Sequence, residues 1–334
     1  MKHHKNNLWI LLSLFILCIV FFMLSIMMGA VDITFTEALE AFLKGENTPH
    51  LRILLHIRLP RTLVAMLVGS ALALAGAILQ GVMRNPLATP NIIGVSSGAG
   101  LSALTIMILF PSFFYLVPIG AFVGALLTTA MIYTLAWKRG IVPTRLILAG
   151  VAVNTVLGAG NNILLSTYPQ RVGGVIHFLV GGLSGVGWKD VRMITPYILV
   201  SLFITLFFSQ KMNILMLGDE LATGLGLQVE RVRRTLIVLS SLLAGSAVSA
   251  VGLLGFVGLI VPHMARLFVG NDHRWLFPTS IFLGSLTLMA CDLIARMIFA
   301  PVEVPVGVIM SILGGPFFLF ILRRQYRGHG HDRS

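Results

Sequence analysis

The residues of this chain whose types and spacing could do chemistry are concentrated in a polar segment, residues 211–234, between two long apolar stretches. It contains an acidic pair, Asp219 and Glu220, which Gly224 and Gly226 follow. Acids suit the first turn of a helix, where the helix dipole is positive. Glycine permits the backbone of a tight reversal. We therefore predict two short helices that form a docking surface for another molecule.

Catalytic chemistry is missing from the sequence. It contains no Gly-Lys dipeptide, so a Walker A loop for ATP is excluded. It also contains no His-Glu-x-x-His zinc motif and no arrangement that suggests a nucleophile triad. Cys18 and Cys291 both lie in apolar runs and predict no disulfide. We expect no enzyme activity, no bound metal and no cofactor held by this chain.

Ionisable residues are also scarce at the centres of the apolar stretches. Asp292 and Arg296 stand four positions apart near one end of such a stretch, a spacing at which they can neutralise each other on a helix. A carrier driven by protons or sodium usually needs intramembrane acids. The chain therefore resembles a transport pathway that lacks its own energy source.

Composition indicates that membrane-spanning helices position these residues. The sequence is 57% hydrophobic and only 11% charged, whereas soluble domains carry about 25% charged residues. Apolar runs close to the ~20 residues that span a bilayer recur along it. We predict a single-domain (1–334), all-α polytopic membrane protein with about ten transmembrane helices, the first being a retained span rather than a signal peptide. The predicted spans are 8–28, 62–82, 92–110, 117–136, 146–166, 193–209, 235–253, 257–270, 275–296 and 304–322.

Charge asymmetry predicts the orientation. With both termini in the cytoplasm, the inner side carries 16 basic and 5 acidic residues, a balance of +11. The outer side then carries 8 basic and 7 acidic residues, a balance of +1. This distribution follows the positive-inside rule. It makes the N-terminus (1–7), the polar segment and the C-terminal tail (323–334) cytoplasmic.

Four further features refine the expected architecture. The glycine-rich stretch 251–263 predicts a turn and a short or broken eighth helix, the alternative being one long kinked helix and nine spans. Outside the bilayer, 29–61 predicts a short interfacial helix, with Thr34 and Glu37 at capping-box spacing. The second outer piece, 167–190, predicts a short external helix. Segments 67–76 and 243–252 share five of ten residues, which suggests an inverted internal repeat.

Several motifs together resemble one transporter family. They are Arg58-Leu-Pro-Arg61, the stretch from Gln80 to Ala99 with Arg84-Asn85-Pro86-Leu87, Gly255-Phe-Val-Gly258 through Pro262-His263 to Arg266, Asp292-Leu-Ile-Ala-Arg296 followed by Glu303-Val-Pro305, and the 218–227 part of the polar segment. In this order they closely resemble the FecCD-type permeases, the membrane subunits of type II ABC importers for iron–siderophores, haem and cobalamin. The resemblance covers about residues 10–324.

The resemblance implies the type II importer permease fold and a set of partners. The subunit would pair with a second permease, identical or paralogous, in a bacterial plasma or inner membrane. Two cytoplasmic ATPase subunits would bind ATP and Mg²⁺, and an extracytoplasmic substrate-binding protein would dock outside. No nucleic acid is implied.

The resemblance also implies roles for individual residues. Arg58, Arg61 and Arg296 match arginines that receive carboxylates of the binding protein, in keeping with the permanent charge and paired donors of guanidinium. Without the resemblance, headgroup anchoring by Arg58 and Arg61 and a local Asp292–Arg296 pair would explain the same residues.

Two more sets of roles lie on the cytoplasmic side. Asn85 and Leu87 match one gate, for which an ordinary turn is the alternative. Pro143 and Thr144 match a second gate, although the family often has Thr-Ser there. The other set matches the coupling helices that fit a cleft in the ATPase, and it comprises Gly218, Asp219, Glu220, Gly224 and Gly226.

The predicted function is therefore an importer permease, with an iron–siderophore as the first expectation and haem or cobalamin as alternatives. A secondary carrier or channel working alone and a structural membrane scaffold are the hypotheses from other classes. ATP-dependent uptake and co-purification of an ATPase would separate the importer from a carrier.

Overall fold

The structure is a computed structural model that describes residues 2–29, 49–138 and 142–329. In this part of the chain every regular element is helical. The α-helices, in chain order, are α1 (Lys2–Met27), α2 (Pro49–Ile53), α3 (Leu59–Val82), α4 (Val95–Leu109), α5 (Val117–Ala136), α6 (Pro143–Thr167), α7 (Val172–Val180), α8 (Trp188–Phe207), α9 (Ser209–Met216), α10 (Asp219–Gly224), α11 (Val229–Val251), α12 (Val257–Val269), α13 (His273–Met297) and α14 (Val306–His329). A wide helical turn, Leu54–Arg58, joins α2 to α3, and tight helical turns form Pro90–Ile93, Pro111–Leu116 and Pro169–Arg171.

The helices confirm an all-α, multi-pass membrane protein. Seven helical stretches of the described residues are long and apolar enough to cross a membrane, and three shorter apolar segments are α4, α12 and Val306–Leu319 of α14. Each of the ten predicted spans overlaps one of these ten. At 1.5 Å per residue, α4 and α12 are about 22 and 20 Å long, less than the ~30 Å of a hydrocarbon core. By length, seven helices can therefore cross the membrane by themselves, whereas the shorter segments need their flanking residues to complete a crossing.

Helix α3 is the centre of the packing because small residues let its neighbours approach closely. A Cβ atom at Gly69 would lie 2.2 Å from the carbonyl oxygen of Gly284 on α13. A Cβ atom at Gly76 would lie 1.9 Å from the carbonyl oxygen of Gly258 on α12. Close approach through glycine is a common way for membrane helices to gain van der Waals contact. By contrast, α1, α6 and α8 expose many large apolar side chains, as suits surfaces that meet lipid or another membrane helix.

A break between α11 and α12 confirms the predicted interruption and excludes the single kinked helix. Gly252 has a φ of +74°, and residues 252–256 are not helical. The backbone groups of the break find partners, since Leu253 N donates to Phe178 O at 2.8 Å and Gly182 N donates to Val251 O at 2.9 Å. Phe178 belongs to α7, the short helix predicted in 167–190. Unwound backbone inside a membrane protein is stable only with such protein partners.

Two expectations about the architecture stay predictions. Residues 30–48, which carry the expected interfacial helix, lie outside the described residues. The two segments of the internal echo fall on α3 and α11, which pack together, with Ser240 Oγ donating to Ala75 O at 3.2 Å. Their contact neither requires nor excludes an inverted repeat.

Candidate functional site

Five charged residues around the start of α3 form what we call the arginine cluster, made up of Arg58, Arg61, Asp292, Arg296 and Glu303. At its centre the carboxylate of Asp292 is fully buried. Arg61 reaches it from α3, with Nη2 2.8 Å from Oδ1, and Arg296 reaches it from the next turn of α13, with Nε 3.1 Å from Oδ2. The predicted Asp292–Arg296 pair is thus confirmed, and a second arginine completes it.

The remaining contacts of the cluster tie four segments together and join Ser184, in the loop before α8, to them. Arg61 Nη1 lies 2.8 Å from Glu303 Oε2, which also accepts a hydrogen bond from Ser184 Oγ at 3.0 Å. Arg296 Nη2 donates to Ser25 Oγ at 2.8 Å, and Arg58 Nη1 donates to Met27 O at 2.6 Å. The end of α1, the start of α3, the end of α13 and the loop before α14 therefore meet at one cluster.

The cluster brings together the three arginines predicted to receive carboxylates, and it buries them. Arg58, Arg61 and Arg296 are 5%, 6% and 5% exposed. Three guanidinium groups face two carboxylates, so the five residues carry a net charge of +1. Burial opposes ionisation of the Glu303 carboxyl, but the hydrogen bond and charge of Arg61 outweigh it and lower the pKa of Glu303. Glu303 is the most accessible acid of the cluster, and sequence analysis gave it no role.

The polar segment folds as predicted into short helices, α9 and α10, before the long α11. Asp219 and Glu220 occupy the first turn of α10, as their charges suggested. The reversals differ from the expectation at one position. Gly218 and Gly226 have φ of +113° and +81°, whereas Gly224 is the last residue of α10 and has no positive φ.

A second set of ion pairs anchors this segment, and we call it the Arg233 network (Arg84, Asp219, Glu230 and Arg233). Arg233 on α11 is completely buried. Its Nη2 donates to both carboxylate oxygens of Asp219, at 2.8 and 2.9 Å, and its Nη1 lies 2.8 Å from Glu230 Oε1. Arg84, just beyond the end of α3, also pairs with Asp219. Burial opposes ionisation of Asp219, but Arg233 and Arg84 outweigh it and lower its pKa.

The outer surface of the polar segment is apolar. Leu217, Leu221 and Leu225 are 56%, 63% and 65% exposed. Leu221 and Leu225 lie one helical turn apart, since Leu225 N donates to Leu221 O at 3.0 Å, and Leu217 precedes the turn at Gly218. Sequence analysis singled out the charges and glycines here and missed these leucines, although the spacing was visible. Three large exposed apolar side chains above a charged network are typical of a protein docking surface.

The predicted gate residues lie in two separate places. Asn85 and Leu87 belong to the turn after α3, where Asn85 Oδ1 accepts a hydrogen bond from Leu87 N at 2.9 Å. Pro143 and Thr144 form the first turn of α6. Further along, α6 contacts the 90–93 turn through the hydrogen bond that Asn154 Nδ2 donates to Asn91 O at 2.9 Å. The turn at Asn85 is the ordinary hydrogen-bonded kind, and the gating roles stay predictions.

Comparison with known proteins gives one consistent result. The model of the FecCD transport family matches residues 17–324. The chain is 38% identical over 327 residues to the Fe(3+)-citrate import system permease protein YfmE of Bacillus subtilis (strain 168), covering 98% of both chains. It is 39% identical over 324 residues to the hemin transport system permease protein HmuU of Yersinia pestis, covering 93% of this chain and 94% of that one.

A solved structure shows the same fold. It is described as an inward-facing conformation of a metal-chelate type ABC transporter, and it superposes with a TM-score of 0.82 at 27% sequence identity. The match covers 94% of this chain and 99% of that chain. The likeness therefore extends over nearly the whole fold rather than over a local motif.

Proposed function

Because the chain belongs to the FecCD transport family, we propose that it is the membrane-spanning permease subunit of an ATP-binding-cassette importer for an iron–siderophore or related metal chelate. Separate ATPase subunits that bind ATP and Mg²⁺ drive the import. In this proposal all ten apolar helices cross a bacterial cell membrane, and both termini are cytoplasmic. A second permease subunit, identical or paralogous, completes the pathway.

The observation that carries the proposal is the surface of the polar segment. Its three exposed leucines stand on short helices that are braced from beneath by the buried Arg233. A braced apolar surface can receive a push from another protein and pass it to α11, whose first turns hold Glu230 and Arg233. We assign ATPase coupling to this segment and propose Gly218, Asp219, Glu220, Gly224 and Gly226 as its coupling residues. Asn85, Leu87, Pro143 and Thr144 are proposed as cytoplasmic gates.

Co-purification with the ATPase tests the coupling role. Leu221→Asp puts a charge in the centre of the apolar surface, so we expect the ATPase to be lost from the purified complex and uptake of a radiolabelled ferric chelate to stop. Leu221→Met keeps the surface apolar and is the matched control. Chelate uptake that continues without the ATPase would instead indicate a carrier that works alone.

The arginine cluster is proposed as the docking site of the substrate-binding protein. Arg58 is the informative position because its Nη1 donates to two backbone carbonyls, Ile26 O at 3.1 Å and Met27 O at 2.6 Å, so that its substitution leaves the ion pairs of the central Asp292 in place. We expect Arg58→Gln to weaken capture of the loaded binding protein by about tenfold while the permease–ATPase complex still assembles. Arg58→Lys retains the charge and is the control. Unchanged capture by Arg58→Gln would remove Arg58 from the docking site.

The nature of the chelate rests on the relatives. Their names include iron(III) citrate and hemin at nearly equal identity. We place an iron chelate first and haem second, with cobalamin as a third candidate. Uptake measured with each ligand in turn, in cells that express the matching binding protein, distinguishes the three.

A further inference from the structure

A cavity of about 480 Å³ opens beside the polar segment, and neither the coupling nor the docking role uses it. It lies where the end of α3 meets α9 and the loop between α12 and α13. Two guanidinium groups line it, those of Arg84 and Arg266, together with the amide side chains of Gln80, Asn85 and Asn213. Such a lining suits an anionic group.

Arg266 is the residue of this cavity whose charge an anion would balance. Among the described residues, the only hydrogen bond found for its side chain runs to the neutral Oε1 of Gln80. No carboxylate of the described residues forms an ion pair with it. Gln80 is itself buried, and its Nε2 donates to Gly258 O at 3.3 Å, which turns its oxygen toward Arg266. A partly buried cation without a counter-ion is unfavourable, and a bound anion would relieve this.

Asp272, the one acid among the residues that line the cavity, is already committed elsewhere. Arg274 holds it, with Nη2 2.7 Å from Oδ2, and Asn213 Nδ2 donates to Oδ1 at 2.7 Å. The same carboxylate also accepts from Arg274 N at 3.0 Å and so caps α13. The hydrogen bond from the Arg274 side chain, above all, lowers the pKa of Asp272 to about 2. Asp272 is therefore not the missing partner of Arg266.

The cavity is continuous with the proposed coupling surface. Arg84 lines the cavity and pairs with Asp219, the first residue of α10. Met216 lines it as well and directly precedes the exposed Leu217. A protein that covers the leucines therefore also lies over the mouth of the cavity. Because its walls are cationic, the fitting group from such a protein is a carboxylate.

We propose that this cavity receives an acidic side chain of the ATPase partner and that Arg266 is its counter-ion. The proposal rests on the proposed function, since it requires an ATPase partner. It gives the contact a polar, charge-selective part next to the apolar part formed by the leucines. Buried charge pairs at interfaces add specificity, and truncation of one partner leaves the other charge uncompensated.

A photo-crosslinking amino acid at Asn271, on the lining of the cavity, tests the proposal in the complete permease–ATPase complex. We expect an adduct with the ATPase whose crosslinked peptide contains an Asp or Glu. The same crosslinker at Tyr115, an exposed residue of the 111–116 turn, is the control that should give no ATPase adduct. In the permease without a crosslinker, Arg266→Gln should reduce the affinity of the permease for the ATPase by about tenfold, whereas Arg266→Lys should preserve most of that affinity.

The other outcomes overturn the inference. An adduct with lipid, an adduct within the permease, or protection of Asn271 by inorganic phosphate alone would mean that the cavity holds a different occupant. An Arg266→Gln complex with unchanged affinity would remove the counter-ion role. If Arg266→Gln does not fold, the crosslink at Asn271 with native Arg266 still decides the contact. Failure of the native permease to hold any ATPase would overturn the proposed function as well, whereas an intact complex without an adduct overturns only this inference.

Discussion

The two ends of α3 hold ion pairs of opposite design. At its start, in the arginine cluster, the buried centre is an acid, because the Asp292 side chain is 0% exposed and the side chains of its partners Arg61 and Arg296 are 8% and 5% exposed. Beyond its end, in the Arg233 network, the buried centre is a base. The Arg233 side chain is 1% exposed, while Asp219 and Glu230 are 49% and 39% exposed.

This difference decides what each end can do. The arginine cluster is largely buried, so its ion pairs hold helices together, and its one accessible carboxylate is that of Glu303. The Arg233 network presents its acids to water, so a partner can reach them without opening the core. The first arrangement is suited to bracing and the second to exchange of contacts.

The largest effect is expected at the buried acid. Asp292→Asn removes the carboxylate that Arg61 and Arg296 share and leaves Glu303, at the edge of the cluster, as the remaining acid, which should cost about 3–5 kcal/mol of stability. Glu303→Gln is the matched control because it contacts the same Arg61 but is 36% exposed, and it should cost less than about 1 kcal/mol. Thermal unfolding of the detergent-purified protein measures both. Equal losses would contradict the distinction between centre and edge.

A smaller effect is expected at the buried base. Arg233→Met leaves two acids, but both are hydrated, so the loss should be about 1–3 kcal/mol, the worth of hydrogen bonds to charged groups. Arg231→Met is the control, since Arg231 is exposed and its side chain donates to Gln228. It should change stability by no more than about 0.5 kcal/mol. If Arg233→Met is as damaging as Asp292→Asn, the two ends do not differ in the way described.

The sequence was sufficient for features that are local in the chain. The apolar runs located every long helix, the glycines at 252–258 located the break before α12, and the four-residue spacing identified the Asp292–Arg296 pair. It was insufficient for contacts made by folding. Arg61 and Asp292 are 231 positions apart, and they meet only because α3 packs on α13 through glycines at 69 and 284. Glu303 gained its role for the same reason.

Turns of the polar segment lie between these cases. Asp219 meets Arg233 across 14 positions, which requires the chain to reverse. Composition indicated a reversal, but it could not decide which glycines adopt positive φ. Gly224 was expected to form part of the reversal and is instead helical, whereas Gly218 has a positive φ at the start of α10. The choice depends on where Asp219 must lie to reach both Arg84 and Arg233.

Alanine substitutions at Gly224 and Gly226 test which glycine forms the reversal, and each should change the free energy of unfolding by about 1 kcal/mol. Gly226→Ala forces a side chain into a left-handed conformation, at a cost of about 1–2 kcal/mol. Gly224→Ala lies in a helix with no atom close to the new methyl group, so it should raise stability by up to about 1 kcal/mol. Opposite signs in thermal unfolding are the expected result. A loss at Gly224 as large as that at Gly226 would restore the original assignment of the reversal.

The smallest effect, none at all, is expected from mild acid. The pKa values of both Glu303 and Asp219 are lowered in the folded protein by their arginines, against the opposing effect of burial. A lowered pKa contributes stability that is present above the unfolded value, about 4.3 for Glu and 3.9 for Asp, and that is lost as pH falls through the folded value. The difference in stability between the native protein and Glu303→Gln should therefore be constant from about pH 7 to pH 5 and shrink only below about pH 4. Asp219→Asn should behave in the same way. A difference that already shrinks between pH 7 and pH 5 at one end would show that its carboxylate is not held by arginine, and the two ends would then differ in strength as well as in design.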